Sequence, residues 1–290
     1  MKATLLYDCR SELAEGPFWH AAWNSFLWVD IEGGHLYRYN LPDGQVTTWD
    51  FPHRLTLVIE ASGNKLLLAL DAKLALFDPK TESLEWLLDL HPDDSSMRCN
   101  DGACDPQGRL WVGTMSLEMT EGAASLYCIG RDRKPRLMIS DVTISNGLCW
   151  SLDGKTMYYI DSPTQKVRAF DFDPHSGDIR FRKDVISVPK ELGTPDGMCM
   201  DENGLIWVGH YGGSGVYCWN PETGKVVDKI EVPAPNVTSC AFGGPDGNQL
   251  LITTARENMS SEKLAEFPQS GSVFSALLPV KGAMVFSSSL

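Results

Sequence analysis

The sequence predicts an all-β fold, a six-bladed β-propeller with ring closure between its N- and C-terminal strands, and three observations lead there. Strand-like, aromatic-rich runs follow short turns at Asn24, Gly63, Gly108, Gly154, Gly204 and Gly247, with successive spacings of 39, 45, 46, 50 and 43 residues. A period in the forties is a mark of repeat architecture. Hairpin patterns lie between these runs, so each unit holds about four short strands, the content of one propeller blade. Helical periodicity is nearly absent: only Ser260 to Phe267 reads as a helix, with Ser260 or Ser261 as its N-cap.

In chain order, Thr4 to Tyr7 is a strand that precedes the first repeat. The runs behind the turns are Ser25 to Asp30, Leu66 to Leu70, Arg109 to Gly113, Lys155 to Asp161, Leu205 to Gly209 and Leu250 to Ile252. Hairpins follow them. Leu36 to Tyr39 and Val46 to Trp49 flank Leu41-Pro42-Asp43-Gly44, and Leu74 to Phe77 and Leu84 to Leu87 flank Asp78-Pro79-Lys80-Thr81. Val167 to Phe170 leads into Asp173-Pro174-His175-Ser176-Gly177, and Val216 to Trp219 into Asn220-Pro221-Glu222-Thr223-Gly224, both turn sequences. Ala283 to Ser287 is the last strand-like run and lacks a hairpin partner, so it is expected to pair with Thr4 to Tyr7 and close the ring. A β-sandwich also has short strands, but it does not place a repeated residue at the start of successive units. With no linker or low-complexity segment, residues 1–290 are expected to form one propeller domain.

A chain of 290 residues with 43% hydrophobic residues can bury a large core. The 38 acidic and 25 basic residues give a formal charge of -13, which argues against nucleic acid or an anionic membrane as partner and suits a divalent cation or a neutral small molecule. Met1 to Asp8 holds no apolar core of the signal-peptide kind, and no later run is long enough to span a membrane. A cytoplasmic protein is expected. Its eight cysteines form no CxxC pair and several fall at apolar strand positions, so they read as reduced, buried thiols.

An acid or amide stands eight positions ahead of the turn in four of the repeats, the first counted to Trp23 of the Trp23-Asn24 turn: Glu15, Asn100, Asn146 and Asp196. The same offset gives Leu55 and Ser239 in the other two. In a propeller the first strand of every blade lines the central channel, so these positions face one another on one ring. Two carboxylates and two amides are hard oxygen donors, suited to Ca²⁺, Mg²⁺ or Mn²⁺ and less selective for Zn²⁺. Any one of them alone reads as a turn-former, because Asn-Gly and Asp-Gly favour turns. Their common offset, and the Gly16-Pro17 that follows Glu15, carry the metal reading. With so few protein oxygens an ion keeps open positions for water or substrate, which suggests catalysis.

Arg98 lies two residues before Asn100, and Glu118 follows the strand Leu110 to Thr114. At a channel mouth the pair would suit a polyhydroxylated ligand, Glu118 accepting from hydroxyls and Arg98 donating to ring or carbonyl oxygens. Read singly, each is a surface charge. The six histidines show no HExxH or paired ligand spacing; His210 would either line the same mouth or pack internally. No GxSxG elbow, P-loop or dinucleotide fingerprint is present. Trp28, Trp111 and Trp207 read as core between blades.

At these residues the chain resembles the SMP-30/gluconolactonase/LRE family over nearly its whole length. The matching stretches are Ala14-Glu15-Gly16-Pro17, Arg98-Cys99-Asn100-Asp101-Gly102, Gly113-Thr114-Met115, Ile144-Ser145-Asn146-Gly147-Leu148, Tyr159-Ile160-Asp161-Ser162, Pro195-Asp196-Gly197-Met198 and Phe242-Gly243-Gly244. The resemblance implies a six-bladed propeller in which Glu15, Asn146 and Asp196 bind one divalent metal, whether Ca²⁺, Zn²⁺, Mn²⁺, Mg²⁺ or Fe²⁺. It implies that Asn100 stands beside the ion and is shared with substrate, that Arg98 and Glu118 contact a sugar lactone, and that the lactone is hydrolysed to its aldonic acid. In that mechanism Asp196 is the catalytic residue that orients or deprotonates water. The connection from Glu118 to Ser125 is shorter than in the animal proteins, which implies a smaller lid over the pocket. A non-enzymatic Ca²⁺-binding regulatory propeller is the rival reading, and a lactonase for hydrophobic or organophosphorus substrates a third. Arg98, Asn100 and Glu118 argue against the third.

Overall fold

The computed structural model describes all residues 1–290. Six four-stranded antiparallel sheets form, and they are the blades of a six-bladed β-propeller. The first blade is Ala14–His20, Ser25–Asp30, His35–Asn40 and Val46–Asp50. The second is Leu55–Glu60, Leu66–Leu70, Lys73–Asp78 and Ser83–Asp89. Met97–Cys104, Leu110–Ser116, Ala124–Ile129 and Pro135–Val142 make the third, and Ser145–Trp150, Thr156–Asp161, Lys166–Phe172 and Ile179–Ser187 the fourth. Thr194–Met200, Ile206–Tyr211, Gly215–Asn220 and Lys225–Glu231 make the fifth. The sixth is Val237–Gly243, Gln249–Thr254 and Val273–Leu277 with Thr4–Tyr7 as its outer strand.

Two compact units divide the chain. One, Met1–Leu55 with Val185–Ala283, contains the first, fifth and sixth blades; the other, Thr56–Asp184 with Met284–Leu290, contains the second, third and fourth.

The second strand of each blade is the best buried, and the fourth the most exposed. Ser25–Asp30, Leu66–Leu70, Leu110–Ser116 and Thr156–Asp161 are buried at every position, which is why they read as continuous apolar runs. Lys225–Glu231 is largely exposed and rich in charge, and Ser83–Asp89 is exposed to half-buried with Glu85 and Asp89 along it, features that discourage edge-to-edge pairing. Packing in the first unit centres on Trp207, Ile230, Phe242, Ile252 and Phe274, with Phe26 and Trp28 in a second cluster. In the second unit Trp111, Trp150, Tyr159 and Phe170 form one cluster, and Leu57, Leu67, Leu110 and Val112 another. Trp28, Trp111 and Trp207 are thus core, as expected.

Two of the turns that set the repeat share a construction. Asp105 Oδ1 accepts from the backbone of Gln107 at 2.9 Å and Arg109 at 3.2 Å, and its Oδ2 accepts from Trp111 Nε1 at 2.9 Å. Asp201 does the same for Asn203, Leu205 and Trp207 at 2.9, 3.0 and 3.0 Å. One carboxylate therefore closes the turn and satisfies the indole buried behind it. This couples the turn to the strand that follows.

The ring closes, but not through the expected strand. Thr4, Leu5 and Tyr7 pair antiparallel with Ser275, Phe274 and Val273. Ala283 to Ser287 forms no strand: Ala283 N–H donates to Met200 O at 2.9 Å, and Met284 and Val285 are exposed. Val273–Leu277 takes the place because its apolar residues Val273, Phe274 and Ala276 are buried while it also pairs with Gln249–Thr254. The expected helix forms over Ser261–Glu266, where the Ser260 side chain accepts from Lys263 N–H at 3.3 Å. All eight cysteines are free. No helix is long and apolar enough to cross a membrane.

Candidate metal and substrate site

Five innermost strands carry a register irregularity at the positions picked out by the offset. It falls between Glu15 and Phe18, Cys99 and Gly102, Asn146 and Leu148, Pro195 and Met198, and Val237 and Ser239. Each time the innermost strand has one residue more than its partner. A bulge of this kind re-aims a side chain out of the strand's alternation. The Asn-Gly and Asp-Gly pairs therefore lie within strands, not in the turns that their composition suggests. Glycine is needed after Asp196 for space: a Cβ on Gly197 would stand 2.1 Å from Ser239 Oγ.

In the second unit, three of the expected residues join in one hydrogen-bonded chain. Arg98 Nη1 donates to Asn100 Oδ1 at 2.5 Å and to Cys99 O at 3.0 Å. Asn100 Nδ2 in turn donates to Asn146 Oδ1 at 2.9 Å and to Ser145 O at 2.8 Å, and Asn146 Nδ2 donates to Ser162 Oγ at 2.8 Å. These bonds fix the orientation of both amides: each turns its NH₂ to a protein acceptor, and Asn146 keeps an oxygen lone pair beyond the one used by Asn100. Arg98 and Asn146 are 6% and 5% exposed, so Arg98 is a buried guanidinium rather than a surface charge. Glu118 differs. It is exposed on the loop Leu117 to Ala123, with its backbone N–H held by Ser116 Oγ at 3.2 Å.

In the first unit, Glu15 and Asp196 are 8% and 9% exposed. Glu15 Oε2 accepts from Gly16 N–H at 2.8 Å, a contact that the φ of 52° at Gly16 permits. Buried carboxylates of this kind are costly without a compensating partner or ion. Leu55 and Ser239, at the equivalent positions, bring an apolar side chain and a hydroxyl, both buried.

Two residues have environments that the sequence did not disclose. Burial pushes the Asp101 carboxyl up to about 6, while the Gly102 N–H at 2.7 Å from its Oδ1 works the other way. Only its place beside Asn100 in Asn100-Asp101-Gly102 hinted at it. His210 proves to be an internal packing residue. It is fully buried, Nδ1 lies 2.8 Å from Leu192 O, Nε2 accepts from Trp219 Nε1 at 3.3 Å, and the ring stacks on Tyr217. Burial lowers its pKa to about 4, so it is neutral at pH 7.

The carboxylates of Glu15 and Asp196 in the first unit and the amide oxygen of Asn146 in the second are each of the hard donor type that suits a divalent ion, and each lies on a buried, bulged strand position. No group of three or more His, Cys, Asp or Glu side chains is placed to hold a metal ion by itself.

Comparison with known proteins gives this geometry a family. The SMP-30/Gluconolactonase/LRE-like region matches residues 13–256, a span that includes every candidate residue named above. The chain belongs to the SMP-30/gluconolactonase/LRE-like family. Among members of this family, regucalcin of Gallus gallus is 37% identical over 279 residues, covering 94% of this chain and 93% of its own. A Bacillus subtilis protein, YvrE, whose name carries a provisional assignment as a sugar lactone lactonase, is 38% identical over 282 residues, covering 97% of each chain. The crystal structure of a calcium-binding protein, regucalcin, from Agrobacterium tumefaciens has a TM-score of 0.92 at 29% identity and covers 99% of this chain and 96% of its own.

Proposed function

We propose that the chain is a metal-dependent sugar lactonase, one propeller domain in which Glu15, Asn146 and Asp196 converge on a single divalent ion and Arg98, Asn100 and Glu118 hold the substrate. The observation that carries the reading is the hydrogen-bonded chain from buried Arg98 through half-buried Asn100 to buried Asn146, which joins a cationic donor to a candidate metal ligand through one shared amide. The likeness to a protein named as a sugar lactone lactonase supports the substrate class.

When bound, a divalent ion supplies Lewis acidity toward the lactone carbonyl and makes nearby water more acidic. Asp196 orients the attacking water and accepts its proton. Water adds to the carbonyl carbon, the ring C–O bond breaks, and the ring oxygen leaves as a hydroxyl once it has gained a proton. Arg98 donates to the lactone oxygens and stabilises charge that develops there, and burial strengthens that interaction. Glu118 accepts from substrate hydroxyls at the rim, where its exposed loop leaves room for ligands of differing length.

Acid release from glucono-1,5-lactone and a set of hexono- and pentonolactones tests the reading. Asp196→Ala and Glu15→Ala are each expected to reduce turnover to background with the circular dichroism spectrum retained. Full activity in either folded variant contradicts the assignment. A second reading, a Ca²⁺-binding regulatory propeller without catalysis, draws on the likeness to the calcium-binding protein of Agrobacterium tumefaciens. It predicts only the uncatalysed rate with every lactone.

A further inference from the structure

We infer that Tyr211 is a positioning residue for Glu15 and Asp196, acting through a brace formed by Ala255 to Asn258. The inference rests on the metal reading above and concerns how the first unit holds its two carboxylates.

At one end the brace is tied to the strand of Glu15. Leu13 forms an antiparallel bridge with Ala255, and the Glu12 carbonyl accepts the N–H groups of both Arg256 and Glu257 at 2.9 Å. Glu12 and Leu13 are themselves fixed, their N–H groups donating to Asp30 at 3.1 and 3.0 Å. At its other end the brace is tied to the strand pair of Asp196. Tyr211 pairs with Thr194, two residues before Asp196, and its hydroxyl donates to Glu257 O at 2.9 Å. Asn258 Nδ2 reaches the same hydroxyl at 3.4 Å.

Asn236 holds the middle. Its carbonyl accepts from Ala255 N–H at 2.9 Å, its Nδ2 donates to Glu257 O at 3.2 Å, and its backbone bridges to Tyr211. Four consecutive residues thus connect the strands of the fifth and first blades across the sixth. The sixth blade offers only Ser239 at the ligand position, so its share in the site is this connection. Burial raises the Tyr211 pKa, the Asn258 side chain works the other way, and the charges of Glu257, Asp196 and Glu12 add to the rise.

Two carboxylates that share an ion repel each other when it leaves, so retention of their spacing depends on rigid support behind them. The Tyr211 hydroxyl is where this support can be removed without a cavity. Tyr211→Phe is expected to accelerate hydrogen exchange at Arg256 and Glu257 about five-fold and to raise the Kd for Mn²⁺ about five-fold, the scale of one net hydrogen bond. Mn²⁺ is titrated calorimetrically into metal-stripped, full-length protein, and thermal melts confirm the fold. Asn236→Ala, which releases the same Glu257 carbonyl from the other side, is expected to act in the same direction.

Unchanged Mn²⁺ affinity in both variants overturns the inference, whether or not exchange accelerates, because a merely structural latch would leave the ion unaffected. Glu15→Ala separates this failure from that of the metal reading. If Glu15→Ala abolishes Mn²⁺ binding while Tyr211→Phe and Asn236→Ala do not alter it, only the brace is wrong. If Glu15→Ala also binds Mn²⁺ normally, the metal reading falls and the inference falls with it.

Discussion

In the proposed site, Asn100 is the residue that joins the substrate-binding Arg98 to the metal-binding Asn146. It accepts from Arg98 and donates to Asn146, so loss of its side chain would remove one hydrogen bond from each neighbour. Asn100→Ala is expected to lower kcat/KM at least a hundred-fold, affecting kcat and KM together. Arg98→Ala is expected to act mainly on KM; steady-state kinetics on one lactone distinguishes the two patterns. Equal kcat losses in both variants would contradict a shared role for Asn100. The candidate residue types were legible from their offset before the turn, because a repeat puts equivalent residues at equivalent places. Their partners were not. Nothing local to Asn146 announces that its oxygen accepts from a residue 46 positions earlier, and the raised pKa of Asp101 comes from burial that only the fold creates.

The innermost strands show how a local signal is reinterpreted by its setting. Asn146-Gly147 and Asp196-Gly197 have turn composition, yet both lie in strands, where a bulge re-aims the side chain, and Gly197 lets Ser239 of the neighbouring blade approach. The fifth blade adds a pH dependence through His210. Its folded pKa is depressed to about 4 from an ordinary 6.5, so it contributes stability that is present above the unfolded value and lost as pH falls through the folded one. The window therefore lies between about pH 6.5 and 4. Lowering the pH from 7 to 4.5 should cost about 2 kcal/mol at this residue alone, read from urea denaturation midpoints. His210→Gln should reduce that slope while lowering stability at pH 7. An unchanged slope would show that His210 is not the titrating group.

Blade count and repeat length were legible across the whole molecule because a turn followed by an apolar strand recurs six times; in two of these units Asp105 and Asp201 each bind their own turn and the following tryptophan. The closing strand was misread because the connection Ala255 to Ser272, with its helix, hides Val273–Leu277 from the repeat spacing. Ala283 to Ser287 matched a strand by composition but had no ladder to join. As proposed above, one divalent ion held by an all-oxygen set makes this propeller a lactonase. The most direct test follows acid release from sugar lactones by metal-stripped protein before and after Ca²⁺, Mg²⁺, Mn²⁺ or Zn²⁺ is added. The account predicts no turnover above background without metal, and recovery with at least one of these ions in the native protein but not in Asp196→Ala. Full lactonase activity in the metal-stripped protein, or equal recovery by Asp196→Ala, would contradict it.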